Sequence, residues 1–222
     1  MLHYDTWKKE LLHELGFWQH WLTTNDVTIS EQRSWRLKPN KSLDGELGSV
    51  IFPDGDGLVL DVGAGPLTTI GNIWQGRKIT LIPIDPLANE YNEILKKVDL
   101  KPAIKTVAGQ GERLVEQFGQ NTIDAIYCAN SLDHCYDPLF VILQMVSVLK
   151  PSGIIKIVSF VNEGEKEKYA GLHQWNLCPS EEDIILWNNS ITISLSQELS
   201  KIANLKAIRV LNNITTFLLS KK

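Results

Sequence analysis

The chain has 222 residues, enough for one well-buried α/β domain with an appended cap. Its 43% hydrophobic and 22% charged residues are ordinary for a globular protein, and a formal net charge of −4 argues against a nucleic-acid coat or docking to anionic membranes. No apolar run approaches the ~18 residues of a membrane span, and an N-terminus with Asp5, Glu10 and Glu14 does not read as a signal peptide. Cys128, Cys135 and Cys178 form no C-x-x-C pair, which suits a reducing, cytoplasmic setting.

Residues 4–22 read as an amphipathic helix, with Trp7, Leu11, Leu15, Trp18 and Leu22 at helical spacing. Gly16 weakens it by about 1 kcal/mol relative to alanine. His3, His13 and His20 on this helix lack the cysteine or carboxylate company of a metal site. Residues 23–56 are polar and irregular, so 1–50 is expected to form an N-terminal helical cap. Arg33, Arg36, Lys38 and Lys41 within it read as a solvated face.

An alternation then begins. Strands are expected near 58–62, 79–84, 103–107, 123–129 and 153–160, with helices near 67–75, 87–98, 111–119 and 138–149. This order predicts a doubly wound parallel sheet. Residues 162–194 have no clear period and read as an insertion, followed by a short helix at about 196–203. Ala207–Leu211 and Ile214–Leu219 flank Asn212-Asn213, and asparagine tolerates left-handed φ, so a two-residue hairpin is expected. Residues 51–222 thus form one domain.

The run Val59-Leu60-Asp61-Val62-Gly63-Ala64-Gly65-Pro66-Leu67 carries the strongest signal. A buried strand breaks into a glycine turn, and the backbone of Gly63 and Gly65 can approach a ligand closely. The helix expected next would present its N-terminus to that ligand. The nicotinamide fingerprint G-x-G-x-x-G needs a third small residue, but Thr68 stands there. Asp61, two residues before the first glycine, would repel a pyrophosphate and tolerate an ammonium group. Asp85 ends the second strand 20 positions after Gly65. There it either accepts from ribose hydroxyls or caps the helix starting near Leu87.

Asp61-Val62-Gly63-Ala64-Gly65, Asp85, Gly109-Gln110-Gly111-Glu112 and Asp124…Asn130-Ser131-Leu132-Asp133-His134 together resemble class I S-adenosylmethionine-dependent methyltransferases. The resemblance covers about residues 57–161. It implies an α/β, doubly wound, mostly parallel seven-stranded sheet with an antiparallel last strand, the Rossmann-like methyltransferase fold. It also implies S-adenosylmethionine as cofactor, with S-adenosylhomocysteine as product. The family's first loop holds the methionine part, here Asp61, Gly63, Ala64, Gly65 and Pro66. The second holds the ribose at Asp85, with Pro86 and Leu87 beside it, and Leu87 covers one adenine face. The third contacts adenine through Gln110, Gly111 and Glu112; Gln110 stands where the family often has Asp, and its carbonyl can still accept the adenine amino proton. Asn130 and Ser131 complete the set.

At the reacting end, the candidate bases are His134, His173 and Glu163. His134 follows the fourth strand at the carboxyl edge of the sheet, and Asp133 can orient it or be part of the acceptor pocket. Otherwise His134 bonds loop backbone and shapes the pocket. Asn130, Asp133 and His134 echo the E-x-x-E-H metal element of some quinone-biosynthesis O-methyltransferases, but Asn130 replaces the first Glu, and no metal is expected. Tyr169, Gln174 and Trp175 belong to an aromatic, hydrogen-bonding stretch that either contacts substrate or packs as a loop; Trp175 could stack on a flat acceptor. The N-terminal helix and the segment with Trp35 and Arg36 are expected over the same edge, with Arg36 on an anionic group or exposed.

The family's [D/N/S]-P-P-[Y/F] element is absent, Asn130 being followed by Ser131-Leu132, so nucleic acid is a poor acceptor. The expected activity is methyl transfer to an oxygen or nitrogen of a small molecule. A nicotinamide-dependent reductase and a non-catalytic S-adenosylmethionine-binding protein are the alternatives.

Overall fold

Apolar runs bounded by glycine and proline pair here into one mixed sheet. The structure is a computed structural model that describes residues 4–51 and 56–222, so His3 lies outside the described residues. In chain order, α1 (Tyr4–Thr23), α2 (Val27–Leu37) and α3 (Gly45–Gly48) precede β1 (Leu58–Val62). A small hairpin of β2 (Ile73–Trp74) and β3 (Arg77–Lys78) leads to β4 (Thr80–Asp85), α4 (Ala88–Lys97) and β5 (Val107–Ala108). A 3-10 turn at Gly111–Arg113, α5 (Leu114–Phe118), β6 (Ile123–Ala129), α6 (Pro138–Val148) and β7 (Leu149–Phe160) follow. The remainder comprises α7 (Glu163–Lys166), β8 (Asn176–Pro179), β9 (Ile184–Trp187), β10 (Thr192–Ser194), α8 (Leu195–Glu198), β11 (Ala203–Leu211) and β12 (Ile214–Lys221).

The main sheet has seven strands in the order β11-β12-β7-β6-β1-β4-β5. β5, β4, β1, β6 and β7 run parallel, while β12 lies antiparallel between β7 and β11. The expected two-residue hairpin forms, with Leu211 opposite Ile214 and both Asn212 and Asn213 at positive φ. Successive side chains of β1 point to opposite faces. Leu60 and Val62 join Ile126, Val141, Ile142 and Met145 in one core under α6. Val59 joins Leu81, Ala125, Leu43, Leu47 and Ile51 in the other.

That second core departs from expectation. No helix follows the glycine turn; residues 67–72 are a turn running into β2. Thr68, Thr69, Ile70 and Gly71 are poor helix formers, and the carbonyls a helix would use are taken. Arg36 Nη1 donates to Leu67 O (3.2 Å), and Lys41 Nζ donates to Thr68 O (3.0 Å). Ile73 N donates to Lys41 O (3.1 Å) and Leu43 N to Ile73 O (2.8 Å), which stitches the N-terminal segment to the hairpin. Residues 43–51 therefore cover the sheet face that the missing helix would have covered.

Four further differences concern local order. The described part of 23–56 is not irregular throughout: Asp26 caps α2 by accepting from Ile29 N (2.9 Å), and Asp44 caps α3 by accepting from Glu46 N (2.9 Å). Lys156 on β7 reaches both Asp44 and Glu46 at 2.7 Å, tying α3 to the sheet. The 162–194 stretch holds a three-stranded antiparallel sheet, β10-β9-β8, that sends Leu177, Ile184 and Leu186 into the core. The strand expected at 103–107 shrinks to Val107–Ala108, and the helix expected at 196–203 ends at Glu198.

Two glycines separate helix propensity from close packing. A Cβ at Gly16 in α1 would meet nothing within 4 Å, whereas one at Gly71 would fall 2.0 Å from Lys41 O. Urea unfolding should show Gly16→Ala stabilised by about 0.5–1 kcal/mol. Gly71→Ala should lose about 1–3 kcal/mol, because backbone, not a movable side chain, blocks the new methyl.

Candidate active site

The carboxyl ends of β1, β4, β5, β6 and β7 meet at one sheet edge, where ligands of parallel sheets collect. Gly63 and Gly65 both take positive φ (+70° and +63°), which side chains disfavour. A Cβ on Gly63 would lie 2.4 Å from Ser131 Cβ, and one on Gly65 2.9 Å from Trp18 Cζ2. Their amides are not free for a ligand. Gly63 N and Ala64 N donate to Ile84 O at 3.0 Å each, and Gly65 N donates to Asp85 Oδ2 at 3.0 Å. The glycines thus serve close approach of the loops rather than amide donation.

Asp85 Oδ1 also accepts from Leu87 N (2.9 Å), so its carboxyl staples two loops together. The capping alternative is realised in this bond. It leaves lone pairs on both oxygens toward the cavity. Burial pushes Asp85 up to about 6 against those two amides. Asp61, fully buried, is likewise pushed up to about 6 by burial, opposed by the Thr68 hydroxyl and by Arg36. Thr68 Oγ1 donates to Asp61 Oδ2 at 2.5 Å, which gives the threonine at the fingerprint's third position a job. Thr106 Oγ1 closes the turn by donating to Gly65 O (2.9 Å). Pro66 starts no helix and does not line the cavity.

In the third loop, Gly109 N donates to Asp85 O (3.3 Å), and Gln110 and Gly111 face the cavity. Burial pushes Glu112 up to about 7 although its carboxyl accepts from its own amide and those of Asp137 and Tyr136. Its Oε1 has no partner. Glu112 therefore pins the loop after β6 while one buried oxygen stays unsatisfied.

The far end of the cavity is built by α1 and two loops. Trp7 Nε1 donates to His134 O (2.8 Å), and Trp18 Nε1 donates to Glu14 Oε1 (2.7 Å). Glu14 Oε2 lies 3.8 Å from His134 Nδ1. His134 Nε2 lies 3.1 Å from His173 Nδ1, which in turn lies 2.8 Å from Asp133 Oδ2. The Asp133 hydrogen bond raises His173 above its ordinary range in spite of burial. Burial alone would raise Asp133, but the two histidines hold its carboxyl below the usual range. The 173–174 segment is brought to β6 by Gln174 N donating to Asp133 O (3.1 Å).

One cavity of about 810 Å³ joins these parts. Asp61, Gly63, Ala64, Gly65, Asp85, Pro86, Leu87, Gln110, Gly111, Glu112, Asn130 and Ser131 line it, as do Arg36, Asp133, His134, His173 and Glu163. Four expected acceptor residues do not. Trp175 is buried in the core, so neither ring face reaches a ligand. Gln174 Nε2 donates to Tyr169 O and Gly171 O, and Tyr169 Oη accepts from Asn176 Nδ2, so both hold the loop together. Trp35 lies on the outer surface under Lys41 Nζ, 4.6 Å from the ring centre. Arg36 is not a solvated charge: it lies against Trp21 and Trp18, with guanidinium-to-ring distances of 5.1 and 5.5 Å.

The N-terminal helix lies over this edge as expected, but sequence reasoning named none of its side chains as lining the cavity. Trp7, Leu11, Glu14, Phe17 and Trp18 face the cavity, and Glu14 with Trp18 at helical spacing was the available signal. Seven carboxylates line the cavity (Glu14, Asp61, Asp85, Glu112, Asp133, Glu163 and Glu167) against one guanidinium, Arg36. Such a wall suits a cationic ligand and opposes a pyrophosphate.

The family model described as a methyltransferase domain matches residues 60–157. No curated protein matches the chain. Among solved structures, a protein from Listeria monocytogenes provisionally described as an S-adenosylmethionine-dependent methyltransferase superposes with TM-score 0.50 at 10% identity, over 80% of this chain and 96% of that one. An S-adenosylmethionine-dependent methyltransferase from Thermotoga maritima, described as a possible histamine N-methyltransferase, gives 0.50 at 16% identity over 80% and 86%. The CurJ carbon methyltransferase gives 0.51 at 14% identity over 76% and 49%. These structures share the fold. The matched segment makes residues 60–157 a methyltransferase domain, and the strand order is that of the Rossmann-like methyltransferase fold.

Proposed function

We propose that the enzyme methylates an oxygen or nitrogen of a small molecule whose reacting atom is held at Asp133, His134 and His173. The observation that supports this most is one cavity with the Asp85-stapled glycine turn at one end and the histidine pair at the other. The residues fit S-adenosylmethionine: the turn has no Cβ at its two tightest positions, and the wall is acidic toward a sulfonium and an ammonium group. Bound there, the cofactor supplies an electrophilic methyl group.

Asp61 would face the amino group, Asp85 the ribose hydroxyls, and Leu87 with Gln110 the adenine. At the other end, His173 held by Asp133 can accept a proton from the acceptor, with His134 and Glu163 beside it. Closing α1 over this space keeps water from the reacting atoms. The acidic wall disfavours both nucleic acid and a nicotinamide dinucleotide. The described residues include no helix long and apolar enough to cross a membrane. With Cys128, Cys135 and Cys178 all unpaired, a cytoplasmic setting fits.

Calorimetry on Asp85→Ala should show S-adenosylmethionine binding weakened by about 10–100-fold, the range of charge-assisted hydrogen bonds. Unchanged affinity would remove the ribose assignment. His173→Ala should lose at least about 100-fold in turnover with donor affinity retained, as a base or acceptor-holding group requires.

Asp61 and Asp85 also set a pH dependence. Their native values near 6 lie above the ~4 of unfolded aspartate, so they bind more protons folded than unfolded between those values. Their contribution to stability is therefore greatest at low pH and is lost as pH rises through about 6. Charging them is what a cationic ligand repays. Donor affinity should rise from pH 5 to pH 7, by about tenfold for each carboxyl that must ionise. A flat profile would mean that neither carboxylate faces the ligand's charge.

A further inference from the structure

We propose that Asp133, His134 and His173 bind one divalent transition-metal cation, of the zinc, iron or manganese kind. Asp133 Oδ2, His134 Nε2 and His173 Nδ1 form a triangle with edges of 2.8, 3.1 and 3.4 Å. Bonds of about 2.0–2.2 Å to one ion place neighbouring donors about 3.0–3.5 Å apart. The three donors also belong to one compact group of ligand-type atoms. Two imidazoles and a carboxylate are the ligand set of open three-donor sites, and all three residues line the cavity.

Hydrogen bonding alone satisfies this triangle poorly. If His173 Nδ1 carries a proton for Asp133, His134 Nε2 offers either a second N–H facing the first or a lone pair facing the carboxylate. Neutral His134 has a single N–H, yet Glu14 Oε2 stands 3.8 Å from Nδ1 and Asp133 Oδ2 3.4 Å from Nε2. With an ion on Nε2, the proton lies on Nδ1 toward Glu14. A carboxylate behind a ligating histidine is a recurrent support of metal sites. Glu163 and Glu167 add negative charge around His173. His173 comes from a loop 39 residues beyond His134, so the local element at 130–134 did not announce the third ligand.

The remaining coordination positions open onto the cavity, where an oxygen or nitrogen of the acceptor can occupy one. That use rests on the methyl-transfer reading above; the binding of the ion does not. The test is Co(II) titration of the untagged full chain after chelator treatment, followed by visible absorption and by competition with Zn(II). One equivalent should bind, with the absorption of a nitrogen- and oxygen-ligated ion. His173→Ala and Asp133→Asn should abolish it, Glu14→Gln should weaken it by about 10–100-fold, and His13→Ala should leave it unchanged. Each variant's affinity for S-adenosylhomocysteine reports whether the fold and the cofactor end are intact. Absent cobalt binding, or binding indifferent to His173 and Asp133, overturns the cation site and leaves the methyltransferase reading standing. A wild-type chain that binds cobalt but not S-adenosylhomocysteine supports the site and overturns the reading of its use.

Discussion

The Asp85 carboxylate is the constraint on which the cofactor end depends. It accepts from Gly65 N at 3.0 Å and Leu87 N at 2.9 Å, joining the turn after β1 to the loop after β4. The third loop hangs on the same residue, because Gly109 N donates to Asp85 O. A buried acid between two backbone amides is tolerable only while those amides stay in place. The geometry of two loops is thereby tied to the charge of one side chain, and that of the third to the backbone of the same residue. Gly63 belongs to the same arrangement: its positive φ and missing Cβ let Ser131 close against it, with Ser131 Oγ donating to Val62 O (3.2 Å).

The N-terminal segment completes the fold rather than decorating it. Where a helix was expected after the glycine turn, Arg36 and Lys41 satisfy the carbonyls of Leu67 and Thr68. Leu43, Leu47 and Ile51 fill the space below. Burial pulls Lys41 down to about 8, with Arg36 beside it adding to the pull and Asp61 opposing it. Two half-buried cations near Asp61 give that carboxylate partial compensation, so removal of either would leave it less compensated. Trp18 and Trp21 sandwich the arrangement from α1, and Trp18 also roofs Gly65. Trp18 of α1 thus packs directly against the glycine turn.

The sheet was readable from the chain because its signals are local and strong. Largely apolar runs at 58–62 and 123–129 left few alternatives, and Asn212-Asn213 specified its own turn. The helix after Gly65 was read from a helical pattern starting near Leu67. Thr68, Thr69, Ile70 and Gly71 carried the contrary propensity in plain view. Trp175 and Gln174 were misassigned for another reason: an aromatic, amide-rich loop looks the same whether its groups face a ligand or each other. Only the carbonyl partners of Gln174 and the burial of Trp175 separate the two. The aromatic stripe of α1 had the same ambiguity, and there the cavity won over the core.

The charge balance of the cavity also bears on turnover. A wall of seven carboxylates with one guanidinium favours a ligand carrying positive charge over the same ligand after that charge is gone. On the proposed reading, methyl transfer would turn a sulfonium into a neutral thioether while the donor's amino group stays charged, so the electrostatic preference would fall at the sulfur and not at the amino-acid tail. Burial is what gives the wall this preference, because the same carboxyls on an exposed loop would be screened by water.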